Sequence, residues 1–115
     1  MPPIPPSPVS EEVGIELQRV VKRWRQLPLD RALSQAGHVR ALVQSLADGV
    51  AEASGSASSV VPDLGPATLM DQLTVMVYDA SAAVTSRAVT SRVATSRVAT
   101  STLAAVLASL RRELA

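Results

Sequence analysis

Four leucines near the end of this chain are separated by four, three and four residues: Leu103, Leu107, Leu110 and Leu114. That spacing places all four side chains on one face of an α-helix, where they form an apolar seam. Similar apolar stripes occur in three earlier segments, which begin near Ser10, Leu29 and Pro66. The sequence therefore predicts an all-α protein, a small antiparallel bundle of three or four helices.

Local signals mark the helix ends, and helical periodicity predicts the core. Ser10 is a suitable N-cap for the first helix, and Leu27-Pro28 ends it, because the residue before a proline disfavours helical geometry. Gly37 weakens the second helix by about 1 kcal/mol relative to alanine, so a kink or break there is one alternative. The residues predicted to face the core are Val13, Leu17, Val20, Val21 and Trp24, then Leu29, Leu33, Ala36, Val39, Val43, Leu46 and Val50, then Leu69, Met70, Leu73, Met76, Val77 and Ala80.

Two segments rich in proline, serine or glycine lie outside these helices. Residues 1–9 include five prolines and are predicted to form a flexible leader, since proline fixes φ and donates no backbone hydrogen bond. Residues 54–66 are predicted to be a linker that joins two helical hairpins. Residues 10–115 would then form a single helical domain.

Composition excludes several classes of function and site. The chain has no cysteine, so it has no disulfide, thiol nucleophile or thiolate metal site. Its net charge of +1 gives no overall field that would select nucleic acid or an anionic membrane. No apolar run is long enough for a membrane span, and the N-terminal residues lack the pattern of a signal peptide. We expect a cytoplasmic protein, and the excess of arginine over lysine favours a bacterial, GC-rich gene.

Catalytic and metal-binding patterns are also missing from the sequence. His38 is the only histidine, and no spacing relates it to Asp71 or Asp79 as a proton relay. The Glu-x-x-His pattern of metal sites in helical bundles is absent, and Asp48 and Glu52 are best interpreted as exposed carboxylates. Neither a phosphate-binding loop nor a nucleophile elbow occurs. We therefore expect no enzymatic activity, no cofactor and no metal.

Charge is distributed unevenly along the chain, which suggests interaction surfaces. Residues 41–86 contain five acidic residues and no basic one, whereas residues 85–115 contain five arginines and one glutamate. Opposite charges on the third and fourth helices would influence register and partner choice more than stability. The first helix adds a basic cluster, which could contact phosphates or an acidic partner; a solvated face that complements the helix dipole is the favoured interpretation. The candidate interaction residues are Arg19, Lys22, Arg23, Asp71, Asp79, Arg87, Arg92 and Arg97.

Residues 85–104 form a short repeat, TSRAV TSRVA TSRVA TSTLA. The unit resembles, distantly, that of the pentapeptide-repeat β-solenoids, but four units would make only about one coil. A strand is disfavoured because an odd repeat turns successive units to opposite faces. A helix is favoured because the leucine seam extends backward with heptad spacing, although packing is expected to be weak before residue 100. Each five-residue step turns a helix by about 140° net, so the three repeat arginines cannot form one stripe.

Residues 33–49, LSQAGHVRALVQSLADG, resemble the helix-turn-helix of bacterial repressors. Ala36 and Gly37 match the opening of the turn, and Val43 and Leu46 match apolar anchor positions. The resemblance covers 17 of the 115 residues.

That resemblance implies a recognition helix in which Arg40 and Gln44 face DNA bases. The sequence departs from the family pattern at Leu33, where a small residue is usual, and at His38, where an apolar one is usual. The primary functional prediction is therefore a small non-enzymatic module that binds a protein partner or a second copy of itself. The alternative is a DNA-binding transcriptional regulator.

Overall fold

The computed structural model describes residues 9–90 and 93–115, with side chains for residues 9–84 and 102–115. Its four helices are α1 (Glu11–Gln26), α2 (Leu29–Ala53), α3 (Leu69–Thr90) and α4 (Val93–Leu114). The described residues contain no strand. The all-α helical bundle predicted from the sequence is confirmed.

The ends of α1 follow the local signals in the sequence. The Ser10 hydroxyl accepts a hydrogen bond from the backbone N–H of Val13, at 3.2 Å, which satisfies one of the unpaired donors of the first turn. The helix ends at Gln26, and Leu27 adopts an extended conformation. After Pro28, α2 begins at once and remains an α-helix for 25 residues, through Gly37. The break considered at Gly37 therefore does not occur.

All four helices contribute apolar side chains to one core. The leucine seam of α4 is buried, as predicted. The buried apolar residues among those described are Val13, Leu17, Val20 and Trp24 of α1, Ala32, Ala36, Val39 and Val43 of α2, Leu69, Met70, Leu73 and Val77 of α3, and Leu103, Ala104, Leu107, Leu110 and Leu114 of α4.

At the start of α2, the predicted core was wrong. Leu29 and Leu33 are 70% and 54% exposed, and Ala32 is buried instead. The buried stripe of α2 keeps a 4-3-4 spacing from Ala32 onward, and Leu33 lies about 100° around the helix from Ala32. The larger side chains at this end therefore face away from the core.

The four helices pack in two main pairs. α1 packs mainly on α4 and α2 mainly on α3, while α3 also contacts α4. Arg23 of α1 and Arg31 of α2 both donate hydrogen bonds to backbone carbonyls at the end of α4. The end of α1, the start of α2 and the end of α4 therefore lie together at one end of the bundle.

The connection between α2 and α3 folds back along α2. The side-chain oxygen of Gln44 accepts a hydrogen bond from the backbone N–H of Val61 at 2.8 Å, and Arg40 pairs with Asp63 at 3.3 Å. The second half of α2 then lies beside residues 80–84 of α3. This return path lets α3 follow α2 in the same direction, whereas the short connection at Pro28 reverses the chain.

The backbone of the repeat is helical at residues 85–90 and 93–104, as the helical interpretation predicts. Residues 1–8 of the predicted leader, which spans residues 1–9, and the candidate residue Arg92 lie outside the described residues. The side chains of Arg87 and Arg97 also lie outside them, together with the expectation of a weakly packed helix before residue 100.

Candidate functional site

The exposed face of α3 carries apolar side chains that do not enter the core. Val75 and Tyr78 are 52% and 48% exposed, and their three-residue spacing makes them neighbours on the helix surface. Tyr78 is the only tyrosine of the chain, and Trp24, its only other aromatic residue, is buried in the core. Since tyrosine is enriched among the residues that dominate binding energy at interfaces, Tyr78 is a candidate contact residue.

Two acidic side chains share this face of α3. Asp71, Val75 and Asp79 follow one another at four-residue intervals, so they lie along one side of the helix. Both carboxylates are exposed, and neither forms an ion pair with a basic group among the described side chains. The two acidic residues predicted as interaction sites thus flank an exposed apolar residue.

A groove runs beside this face, between α1 and α3. These two helices touch only lightly, and the space between them measures about 460 Å³. Leu17 and Val21 line it from α1, and Thr74 and Tyr78 line it from α3. We call this depression the α1–α3 groove; its lining is mostly apolar, so it suits the apolar face of a partner.

The edge of the α1–α3 groove that α1 forms is basic. Lys22 and Arg25 line it, and both side chains belong to exposed residues. Neither forms an ion pair within the part of the chain whose side chains are described. Lys22 was among the predicted interaction residues, whereas Arg25 was missed, although its three-residue spacing from Lys22 already placed the two side by side.

A second depression lies on the other side of Val75, against the linker. Val61 and Leu64 of the linker and Met76 of α3 line this linker groove, which measures about 350 Å³, and Asp71 lies at its edge. We use the name α3 surface for Asp71, Val75, Tyr78 and Asp79 together with the two grooves. Its exposed centre lies between two apolar depressions.

The other basic residues predicted on α1 contact different neighbours. Arg19 pairs with Glu16 one turn earlier, at 3.0 Å. Arg23 donates a hydrogen bond from Nε to the carbonyl oxygen of Leu114, at 2.9 Å. The three basic residues expected to form one cluster therefore have different neighbours. Of the three, Lys22 is the one that lines the α1–α3 groove.

The pairing expected between an acidic third and a basic fourth helix is not seen at Arg111. Its Nε donates to the Glu16 carboxylate of α1, at 3.1 Å, and the Glu16 side chain is only 14% exposed. This contact links α1 to α4, the two helices that already pack closely. Within the described side chains, the acidic residues of α3 are left facing solvent.

The predicted helix-turn-helix is not formed. α2 is continuous through Ala36 and Gly37, so it has no turn that would separate a recognition helix from a preceding one. Arg40 pairs with Asp63, and Gln44 bonds to the linker. The two residues expected to face DNA bases instead fix the linker against α2.

The imidazole Nε2 of His38 contacts the carboxylate of Glu113, which links α2 to α4. Among the side chains that the structure describes, no three potential metal ligands of the histidine, cysteine or carboxylate type lie close together. Over the same part of the chain, no helix combines the length and apolar character needed to cross a membrane.

Comparison of the chain with family models, with curated proteins and with solved structures found no match. The functional interpretation therefore rests on the geometry of the α3 surface.

Proposed function

We propose that this protein is a non-enzymatic helical module that binds another protein through the α3 surface. The observation that carries the proposal is the exposed pair Val75 and Tyr78 between two apolar-lined grooves. Single exposed apolar residues are ordinary on protein surfaces, but a contiguous apolar area with charged edges is typical of interaction sites.

The geometry favours a helix-in-groove mode of binding. An amphipathic helix of a partner would place apolar side chains, spaced three and four residues apart, against Leu17, Val21 and Tyr78. The basic edge formed by Lys22 and Arg25 would then orient acidic residues of that helix and raise its rate of association. With one aromatic side chain at the centre, we expect moderate affinity and a reversible complex.

Contacts elsewhere in the molecule support a structural role for the remaining polar groups. Glu16 bonds to Arg111, and His38 bonds to Glu113, so each pair joins two helices. Arg40 and Gln44 hold the linker, which removes the main support for the alternative of a DNA-binding regulator. The composition supports placing the module in the cytoplasm of a bacterium.

Selection from a random library of displayed helical peptides tests this proposal. Peptides enriched on the wild-type protein are expected to bind Tyr78→Glu and Val75→Glu about tenfold more weakly, or worse, because a charge then occupies the apolar centre. Leu33→Glu is the matched control, since it introduces the same charge at a similarly exposed apolar residue of α2. The proposal is wrong if no peptide is enriched, or if enriched peptides bind Tyr78→Glu as well as the wild type.

A further inference from the structure

The wall that the linker gives to the linker groove is fixed by hydrogen bonds from two helices. The side-chain oxygen of Gln44, on α2, accepts from the backbone N–H of Val61 at 2.8 Å. The side-chain nitrogen of Gln72, on α3, donates to the carbonyl oxygen of Pro62 at 2.9 Å. A ligand would therefore lose little free energy in ordering this wall, which favours binding to it.

Apolar side chains of the linker groove reach solvent on both of its sides. Leu64 of the linker is 60% exposed and Val75 of α3 is 52% exposed. Between them, Val61 and Met76 are partly buried and pack against the core. The groove of about 350 Å³ therefore offers a contiguous apolar area to the apolar side chains of a partner.

Two carboxylates flank Val75 along this groove. A step of four residues turns a helix by about 40° net, so Asp71 lies on one side of Val75 and Asp79 on the other. Asp71 itself lines the groove. Asp79 lies on the side of Val75 toward Met76, one helical turn further along α3. Both carboxylates are exposed and form no ion pair within the described part of the chain.

No positive charge balances these two carboxylates at the groove. Of the described residues that line it, none is basic. Arg40, which contacts the linker, is paired with Asp63 at 3.3 Å. Lys22 and Arg25 line the α1–α3 groove instead. The linker groove is therefore apolar with an acidic border, whereas the α1–α3 groove is apolar with a basic border.

We infer that the linker groove is a second docking site, and that its ligand is a basic amphipathic helix of another protein. The inference rests on the proposed function, because both grooves belong to the α3 surface. Apolar side chains of the ligand, spaced three and four residues apart, pack against Leu64 and Val75.

The charges select a basic ligand over an acidic one. Asp71 and Asp79 lie about two helical turns, or about 12 Å, apart along α3. Lysines or arginines seven or eight residues apart on a ligand helix that lies along α3 would meet both carboxylates. Such pairs steer association and fix the orientation of the ligand, although each adds little affinity. An acidic helix is repelled here, so the two grooves select ligands of opposite charge.

Two fluorescent, alanine-based helical peptides test the charge preference. Both carry leucines spaced three and four residues apart, and the residues that flank this stripe are lysines in one peptide and glutamates in the other. Fluorescence anisotropy at low salt would measure binding. The lysine peptide is expected to bind the wild type, and its dissociation constant should rise at least about threefold in Asp71→Asn/Asp79→Asn. Asp48→Asn/Glu52→Gln is the matched control, since it removes the same charge from exposed residues of α2 outside both grooves.

Leu64→Ser locates the binding site. This variant removes an exposed apolar side chain of the linker groove, so the lysine peptide should bind it at least about fivefold more weakly. Leu33→Ser is the control at a similarly exposed leucine of α2, and it should bind the peptide like the wild type. Loss of binding to Leu64→Ser thus identifies ligands of the linker groove, whereas loss to Tyr78→Glu identifies ligands of the α1–α3 groove.

The inference is overturned if the lysine peptide does not bind the wild type, or if it binds Leu64→Ser equally well. It is also overturned if both charge variants weaken binding alike, or if the glutamate peptide depends on Leu64 as the lysine peptide does. If displayed peptides bind in a manner that depends on Tyr78 while the lysine peptide does not bind, the proposed function stands. Only the basic ligand of the linker groove is then excluded.

Discussion

The Nε atom of Arg23, in the last turn of α1, donates a hydrogen bond to the backbone carbonyl oxygen of Leu114, 2.9 Å away. Leu114 is the last residue of α4, and the final carbonyls of a helix have no acceptor role within it. Arg23 therefore satisfies one of these groups and places positive charge at the negative end of the helix dipole. The bond ties the first helix to the last.

Replacing Arg23 by alanine is expected to lower the free energy of unfolding by about 1–3 kcal/mol, because a partly buried, charged hydrogen bond is lost. Arg19→Ala is the matched control: it removes an exposed arginine of the same helix, Glu16 keeps its contact with Arg111, and the change should cost less than about 1 kcal/mol. Urea denaturation followed by circular dichroism measures both. Equal losses in the two variants would show that the bond to Leu114 contributes nothing of its own.

Gly37→Ala is expected to stabilise the protein by about 0.5–1 kcal/mol, since alanine is the better helix former. Gly37 lies within the continuous helix α2, and apart from its chain neighbours and the adjacent backbone of that helix nothing lies within 4 Å of the position of an added Cβ. The comparison is Gly65→Ala, where φ is +90° and an L side chain is strained, so that variant should lose about 1 kcal/mol or more. Thermal unfolding would distinguish them, and destabilisation by Gly37→Ala would argue for a turn in α2 after all.

Gln44 holds the linker through both the oxygen and the nitrogen of its side-chain amide. Gln44→Ala is therefore expected to weaken the attachment of residues 54–66 to α2. Its oxygen accepts from Val61 at 2.8 Å and its nitrogen donates to the carbonyl of Ser59 at 3.0 Å. Limited proteolysis of the linker should become about tenfold faster, because local opening costs roughly 1–2 kcal/mol less when two hydrogen bonds are missing. Asp48→Ala is the control, because it removes only the hydrogen bond that Gln44 donates within α2. The protease should cut the linker of this variant at the wild-type rate.

Leu73 and Leu33 are both leucines of helical stripes predicted to face the core, but only Leu73 is buried. Leu73→Ala is expected to cost about 2–5 kcal/mol through lost burial and the cavity left behind. Leu33→Ala, at a position 54% exposed, should change stability by less than about 0.5 kcal/mol. Chemical denaturation tests this contrast, and a comparable loss in Leu33→Ala would mean that this end of α2 is covered in solution.

These residues also show how far sequence reasoning extends. Ser10 and Pro28 act locally, so the ends of α1 follow from the sequence alone. Periodicity likewise identifies the buried leucines of α4, because the spacing of a helix fixes which side chains share a face. At Leu33 it fails, since the side of α2 that becomes buried depends on long-range packing, which for α2 is mainly against α3.

The α3 surface was only partly predictable for the same reason. Asp71, Asp79 and Lys22 stood out by charge, but Val75 and Tyr78 lie in the apolar run LTVMVY. Sequence alone does not separate exposed from buried members of such a run. The positions of α1 and the linker, which depend on long-range contacts, decide which of these side chains reach solvent.

The unequal placement of the two aromatic rings gives the protein separate optical reporters. Excitation of Trp24 alone reads the interior, because the indole loses its apolar surroundings when the bundle unfolds. The ultraviolet absorption of Tyr78, half in solvent, responds to whatever covers the surface of α3. Trp24 stays buried while the protein is folded, so an absorption difference spectrum taken on association reports on Tyr78, whereas the emission of Trp24 reports on unfolding.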